Sequence, residues 1–110
     1  MRFINVCITT DNAPRLAAFY KILFQEEPLI EGNHYSFSKL AVYDPGDVKL
    51  AEDKHVWLQF VDVDVDVLYE RLLREIPDIE IISPLEKKPW GAYSFWLCDP
   101  DGNKIAVAQG

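Results

Sequence analysis

The chain has 110 residues, of which 49% are hydrophobic and 26% are charged, a composition typical of one folded domain. Eleven basic and 18 acidic residues give a net charge of −7, which argues against nucleic acid or an anionic membrane as a partner and would tolerate a cationic ligand. No apolar run is long enough for a membrane span and no signal-peptide pattern precedes the first predicted strand, so we expect a cytoplasmic protein.

The first half of the chain has the pattern of a strand, a helix and three further strands. Residues 2–9 alternate between apolar and other side chains, which predicts a half-buried strand. Asp11 or Asn12 is expected to cap a helix that Pro28 ends. The three further strands are predicted at residues 29–31, 35–43 and 48–51.

The second half repeats this order. A strand at residues 56–61 precedes a helix that begins at about Asp64. The remaining strands are predicted at residues 79–82, 93–98 and 104–109, with a loop at 84–89. The sequence therefore predicts an α+β fold of two βαβββ modules, at about residues 1–53 and 54–110, joined in a single domain because no flexible linker separates them.

A repeated segment supports this duplication. Residues 44–51 (DPGDVKLA) resemble residues 99–106 (DPDGNKIA) in the same register, and each is predicted to form a turn that leads into the last strand of its module. Asp99 and Asp101 also weakly resemble a calcium loop, but the other acidic ligands of an EF-hand are missing. A turn is therefore the favoured interpretation.

Three other features have a structural and a functional interpretation. The alternating carboxylates Asp62, Asp64 and Asp66 are interpreted as helix-capping residues rather than a cation site. Cys7 and Cys98 are expected to be buried free thiols, because no metal-binding spacing separates them and no export signal is predicted. As nucleophiles they would need a base, for which the chain offers only two histidines, neither in a recognisable catalytic context.

Three segments together resemble the vicinal oxygen chelate superfamily, which includes glyoxalase I, extradiol dioxygenases, fosfomycin-modifying enzymes and bleomycin-resistance proteins. They are residues 5–20, with their A-x-F-Y helix motif, residues 58–72, and residues 89–103, which end in the Asp-Pro turn. The resemblance implies paired βαβββ modules whose sheets curl around a concave pocket, and it implies a homodimer.

The same resemblance implies four inward-facing positions at which related enzymes hold a divalent metal. Here they are occupied by Asn5, Ala51, Trp57 and Ala106. Alanine has no donor atom, tryptophan offers only an N–H donor, and asparagine offers one weak oxygen ligand. We therefore expect no metal, no other cofactor and no catalytic residue at these positions.

The aromatic residues supply the candidate binding site. Trp57 replaces a metal ligand on the concave face and is expected to stack on a flat ligand, while Asn5 orients that ligand. The candidate ligand-binding residues are Asn5, Tyr35, Phe37, Trp57, Trp90 and Trp96. The leading hypothesis is a non-metal protein that sequesters a small cationic or aromatic compound in a pocket between the modules.

Two alternatives remain open at this point. The first is a metal-dependent lyase, isomerase or transferase with a displaced ligand set formed by Asn5, Glu52 and His55. The second is a non-catalytic structural or regulatory module in which aromatic side chains close the pocket.

Overall fold

The computed structural model describes all of residues 1–110, and the chain divides after Ala51 into two units, residues 1–51 and 52–110. Each unit contains one helix and one four-stranded sheet in the order β-α-β-β-β. This confirms the predicted α+β fold with two βαβββ modules. Neither helix has the length and hydropathy that crossing a membrane requires.

The first unit contains, in order, β1 (Val6–Thr9), α1 (Ala13–Phe24), β2 (Leu29–Glu31), β3 (His34–Ser36) and β4 (Leu40–Tyr43). The spatial order of its strands is β1-β4-β3-β2. The last strand pairs in parallel with the first, and the other neighbours are antiparallel. Parallel strands need a crossover connection, which α1 and the β2–β3 hairpin supply.

The apolar face of α1 forms the core of this unit. Asn12 caps the helix by accepting a hydrogen bond from the Arg15 amide at 3.1 Å, and Pro14 lies in the first turn. Leu16 and Tyr20 on this face are fully buried, as are Leu40 and Val42 of β4. The cap and the helical spacing of apolar residues were both visible in the sequence.

Three boundaries in this unit correct the sequence prediction. The first strand begins at Val6 rather than residue 2. The helix ends at Phe24, before Pro28, because Gln25 adopts the left-handed conformation (φ 51°). The Gln25 amide donates a hydrogen bond to the Lys21 carbonyl and so caps the helix. Residues 35–43 contain the end of β3 and the whole of β4, because the chain reverses at 37–39, where the Phe37 amide donates to the Leu40 carbonyl.

The predicted strand at residues 48–51 is wrong, since those residues form no ladder and β4 takes the place beside β1. The two Asp-Pro segments are consequently not equivalent: the first follows the last strand of its unit, whereas the second lies between β7 and β8. Ala51 is exposed outside any strand, so it is not the last-strand position that the resemblance implied.

The second unit contains β5 (Trp57–Asp62), α2 (Val65–Glu75), β6 (Glu80–Lys87), β7 (Tyr93–Cys98) and β8 (Lys104–Gln109). Its strand order is β5-β8-β7-β6, again with the last strand parallel to the first. The strand β6 extends through Pro84 to Lys87, so the predicted loop at residues 84–89 is wrong for its first four residues. It is an edge strand with register shifts, the position at which a sheet tolerates proline.

The helix α2 covers one face of this sheet. Asp64 caps it, as predicted for the alternating carboxylates, by accepting from the Val67 amide, and Gln109 of β8 accepts from the Val65 amide at 3.1 Å. Buried side chains of β7 and β8 alternate along the strands: Phe95, Leu97, Ile105 and Val107. The ring of Tyr69 on α2 meets that of Phe95 at 4.9 Å. The intervening residues therefore point to the opposite face.

Candidate functional site

An open cavity of about 570 Å³ lies on the sheet face of the second unit that α2 leaves uncovered. Its volume lies within the range of small-molecule sites. All ten lining residues belong to the second unit and none carries a formal charge: Trp57, Gln59, Phe60, Val61, Trp90, Ala92, Ser94, Trp96, Ala106 and Ala108.

Three indole rings form one wall of this cavity. Trp57 meets Trp96 edge to face, with ring centroids 5.4 Å apart and planes at 78°. Trp90 stacks on Trp96 with centroids 6.1 Å apart and planes at 15°. Trp90 is 68% exposed, so its ring lines the cavity without being held in the core.

The pairing of β8 with its neighbours explains how the cavity arises. Ala106 lies in register between Gln59 of β5 and Trp96 of β7. The small side chains of Ala106 and Ala108 leave the space that the tryptophans surround. The alanines thus leave a depression in the sheet surface between the large rings, and a flat ligand could fit into it.

Two polar residues of the cavity, Gln59 and Ser94, were not among the predicted site residues. Gln59 follows Trp57 by two positions on β5, so strand periodicity alone places it on the same face. Ser94 likewise precedes Trp96 by two positions on β7 and is buried. Their amide and hydroxyl groups are the hydrogen-bonding groups of an otherwise apolar wall.

The other three predicted binding residues belong to the first unit. Phe37 is buried and packs against Phe24 and Tyr20, with ring centroids 5.7 and 6.4 Å away, so it forms part of the core. Tyr35 is half-buried in β3, paired with Ile30 and Val42. Asn5 is half-buried just before β1. The cavity thus contains Trp57, Trp90 and Trp96 of the six candidates.

Trp57 and Ala106, the two implied metal-ligand positions that line this cavity, offer no atom that ligates a metal. The side-chain oxygen donors of the wall are the neutral groups of Gln59 and Ser94, and no imidazole, thiolate or carboxylate lies beside them to complete a divalent metal site. Glu52 and His55 of the alternative ligand set are exposed and precede β5. No group of three or more His, Cys, Asp or Glu side chains has a metal-binding arrangement.

The Asp99 segment is a turn, as predicted. The Asp99 carboxylate accepts hydrogen bonds from the backbone amides of Asp101 and Asn103 at 3.0 and 2.9 Å and from the Asn103 side chain at 2.8 Å. Gly102 has φ 84°, which favours glycine. The segment connects β7 to β8 and so fixes the register of Trp96 against Ala106.

The two cysteines differ in environment. Cys98 is buried, as expected, and burial together with a hydrogen bond to Glu80 raises the pKa of its thiol to about 11. It is therefore a neutral thiol rather than a nucleophile at neutral pH. Cys7 is exposed on β1, which corrects the expectation that both thiols are buried.

Comparison with known proteins gives a consistent fold. Residues 18–110 match the profile of the glyoxalase-like domain. A protein of unknown function from Agrobacterium tumefaciens str. C58 is 25% identical over 100% of this chain and 94% of its own, with a TM-score of 0.84.

Two structures with lower identity share the fold. TioX from Micromonospora sp. ML1 is 17% identical, over 99% of this chain and 98% of its own, with a TM-score of 0.76. A glyoxalase/bleomycin resistance protein/dioxygenase superfamily member from Sphaerobacter thermophilus DSM 20745 is 18% identical, over 100% and 98%, with a TM-score of 0.72. Among curated proteins, none matches the sequence significantly.

Proposed function

This chain belongs to the family of glyoxalase-like domains, and on that premise we propose that it is a small-molecule-binding protein that works without a metal. It holds a planar aromatic compound in the tryptophan-lined cavity of its second unit and sequesters it. The observation that carries the proposal is the grouping of Trp57, Trp90 and Trp96 around an alanine floor.

The chemistry of the cavity supports stacking. Indole rings bury large apolar area against a flat ligand and favour offset-stacked or edge-to-face geometry. Gln59 and Ser94 supply the few polar groups that orient a ligand in such a site. The volume of about 570 Å³ also speaks against a module whose aromatic side chains close the pocket.

The metal-dependent alternative has less support. The side chains of Trp57 and Ala106 have no metal-ligating atom, and no step of the proposed role passes through a metal.

We also propose that the protein acts as a homodimer. Exposed apolar side chains lie at the start of the edge strand β1: Phe3 and Ile4 precede the strand, and Val6 is its first residue. Exposed apolar side chains at a sheet edge favour association.

The test is calorimetric titration with the neutral planar probe 2-naphthamide, followed in parallel by tryptophan emission. We expect one binding site per chain. Trp57→Ala should weaken binding about tenfold or more, since stacking a planar base on an aromatic side chain contributes about 1–3 kcal/mol.

The matched control is Tyr43→Ala in the first unit, because Tyr43 and Trp57 are both 38% exposed. This variant should bind the probe as the wild type does. Absence of binding by the wild type, or equal losses in the two variants, would contradict the proposal.

A further inference from the structure

Two lysine side chains lie against the indoles of the cavity. The Lys88 Nζ atom is 4.7 Å from the ring centroid of Trp96, and the Lys104 Nζ atom is 5.7 Å from that of Trp57. Both distances are within the range of cation–π attraction, about 6 Å. Neither lysine lines the cavity, so each ammonium group contacts its indole from outside the space a ligand would fill.

Lys88 is held in place by several contacts. It is buried, and its ammonium group donates to the Ser83 hydroxyl at 2.6 Å, with longer contacts of 3.4 Å to the Pro84 carbonyl and the Glu86 carboxylate. A buried ammonium group is costly unless it is paired in this way. These contacts fix the positive charge against Trp96.

The same lysine shapes the turn that carries Trp90. Its backbone amide donates to the Ala92 carbonyl at 2.7 Å, and its carbonyl accepts from the Gly91 amide at 2.9 Å. Gly91 has φ 98°, which favours glycine. One short turn therefore positions both the Lys88 ammonium group and the Trp90 ring.

The charges around the cavity are unfavourable for a cation. No carboxylate lines the wall, and Glu86, which contacts Lys88, is itself largely exposed. The Trp57 and Trp96 rings already interact with a positive charge each. A cationic ligand would be repelled at these rings, whereas an anionic ring system would be attracted.

We infer that the cavity selects planar aromatic anions, such as aromatic carboxylates, over cations of the same shape. This inference rests on the proposed function. It reverses the preference suggested by the net charge of −7. Salt screens the long-range field of the net charge within about 8–10 Å. The two ammonium groups lie only 4.7 and 5.7 Å from the centroids of the rings on which a ligand would stack.

The experiment titrates the protein at constant ionic strength with three probes that share one ring system: 2-naphthoate, 2-naphthamide and 2-naphthylmethylammonium. We expect 2-naphthoate to bind at least tenfold more tightly than the ammonium probe. Lys104→Gln and Lys88→Met should each reduce that ratio at least threefold.

The matched control is Lys39→Gln, because Lys39 also lies over an aromatic ring, Phe24 at 4.9 Å, but in the first unit. It removes the same charge and should leave the ratio unchanged. Lys104→Gln decides the matter if Lys88→Met fails to fold.

The outcomes separate the two proposals. If the neutral probe binds but the ammonium probe binds as tightly as 2-naphthoate or more tightly, the charge selectivity is overturned and the proposed function stands. An equal drop of the ratio in Lys39→Gln also overturns it, since the effect is then one of net charge. If none of the probes binds, the proposed function fails and the selectivity fails with it.

Discussion

The thiol of Cys98 lies at the end of β7, where burial and the neighbouring Glu80 disfavour its ionisation. Its pKa is raised from 9.0 to about 11. Above pH 9 the unfolded chain releases this proton, while the folded chain retains it until about pH 11. Stability from this group is therefore complete below pH 9 and is lost as the pH rises.

We expect the free energy of unfolding to fall between pH 9 and pH 11, by up to ~1.4 kcal/mol per pH unit from this thiol. Urea denaturation of wild type and Cys98→Ala over this pH range measures it, because the variant lacks the contribution. Cys7→Ala, which removes the exposed thiol, should behave as wild type. Parallel pH curves for wild type and Cys98→Ala would contradict the assignment.

Some of the residues that line the cavity stand out in the sequence. Trp57, Trp90 and Trp96 are candidates there because large aromatic side chains near a predicted concave face are informative in themselves, and their role in binding stays a prediction. Lys88 could not, since its role depends on contacts with Ser83 and Trp96 that no local pattern records. Phe37 packs in the core of the first unit, and an aromatic residue of a core has the same local sequence signature as one that lines a cavity.

Among the elements, the two Asp-Pro turns have similar sequences but differ in burial and in the hydrogen bonds that the Asp carboxylate accepts. The Asp99 carboxylate is buried and accepts three hydrogen bonds between β7 and β8. The Asp44 carboxylate accepts from the Gly46 amide at 2.9 Å in an exposed turn after β4. The hydrogen bonds of Asp99 hold β7 and β8 in register, whereas that of Asp44 holds a surface turn.

We expect Asp99→Ala to destabilise the protein by about 3 kcal/mol, because buried amides lose their acceptor. Asp44→Ala should cost about 0.5 kcal/mol, since water replaces the lost acceptor. Urea denaturation of the two variants measures both, and the sequence similarity of the turns makes each a control for the other. Equal losses would show that burial does not set the difference.

Elements were predictable where their determinants are local. The alternation of β5 follows from neighbouring residues, and so does the cap of α1, for which the sequence offers Asp11 or Asn12 and the structure has Asn12. The strand assigned to residues 48–51 failed because a strand also needs a partner, and β4 occupies the position beside β1. Pro84 argues against a strand in the sequence. A proline is acceptable in β6 because this strand lies at the edge of the sheet, which the sequence does not show.

For the molecule as a whole, we expect a homodimer formed through the exposed edge of β1. Phe3→Asp should shift it towards the monomer, because Phe3 is 79% exposed and a charge there opposes association. Sedimentation velocity at micromolar concentration measures this, with a melting temperature that rises with protein concentration as a second reading.

The control for the dimer is Val67→Asp, which places the same charge on an exposed apolar position of α2. It should leave the sedimentation coefficient unchanged. A wild-type protein that sediments as a monomer throughout would refute the dimer, and a Phe3→Asp variant that stays dimeric would refute the β1 interface.

All three tryptophans of the chain line the cavity of the second unit. Tryptophan emission therefore reports on that unit alone, whereas far-ultraviolet circular dichroism reports on the helices and strands of both. Coincidence of the two transitions is a standard test of cooperative unfolding. The stability of the unit that contains the cavity can therefore be measured through its own tryptophans, without altering any of its residues.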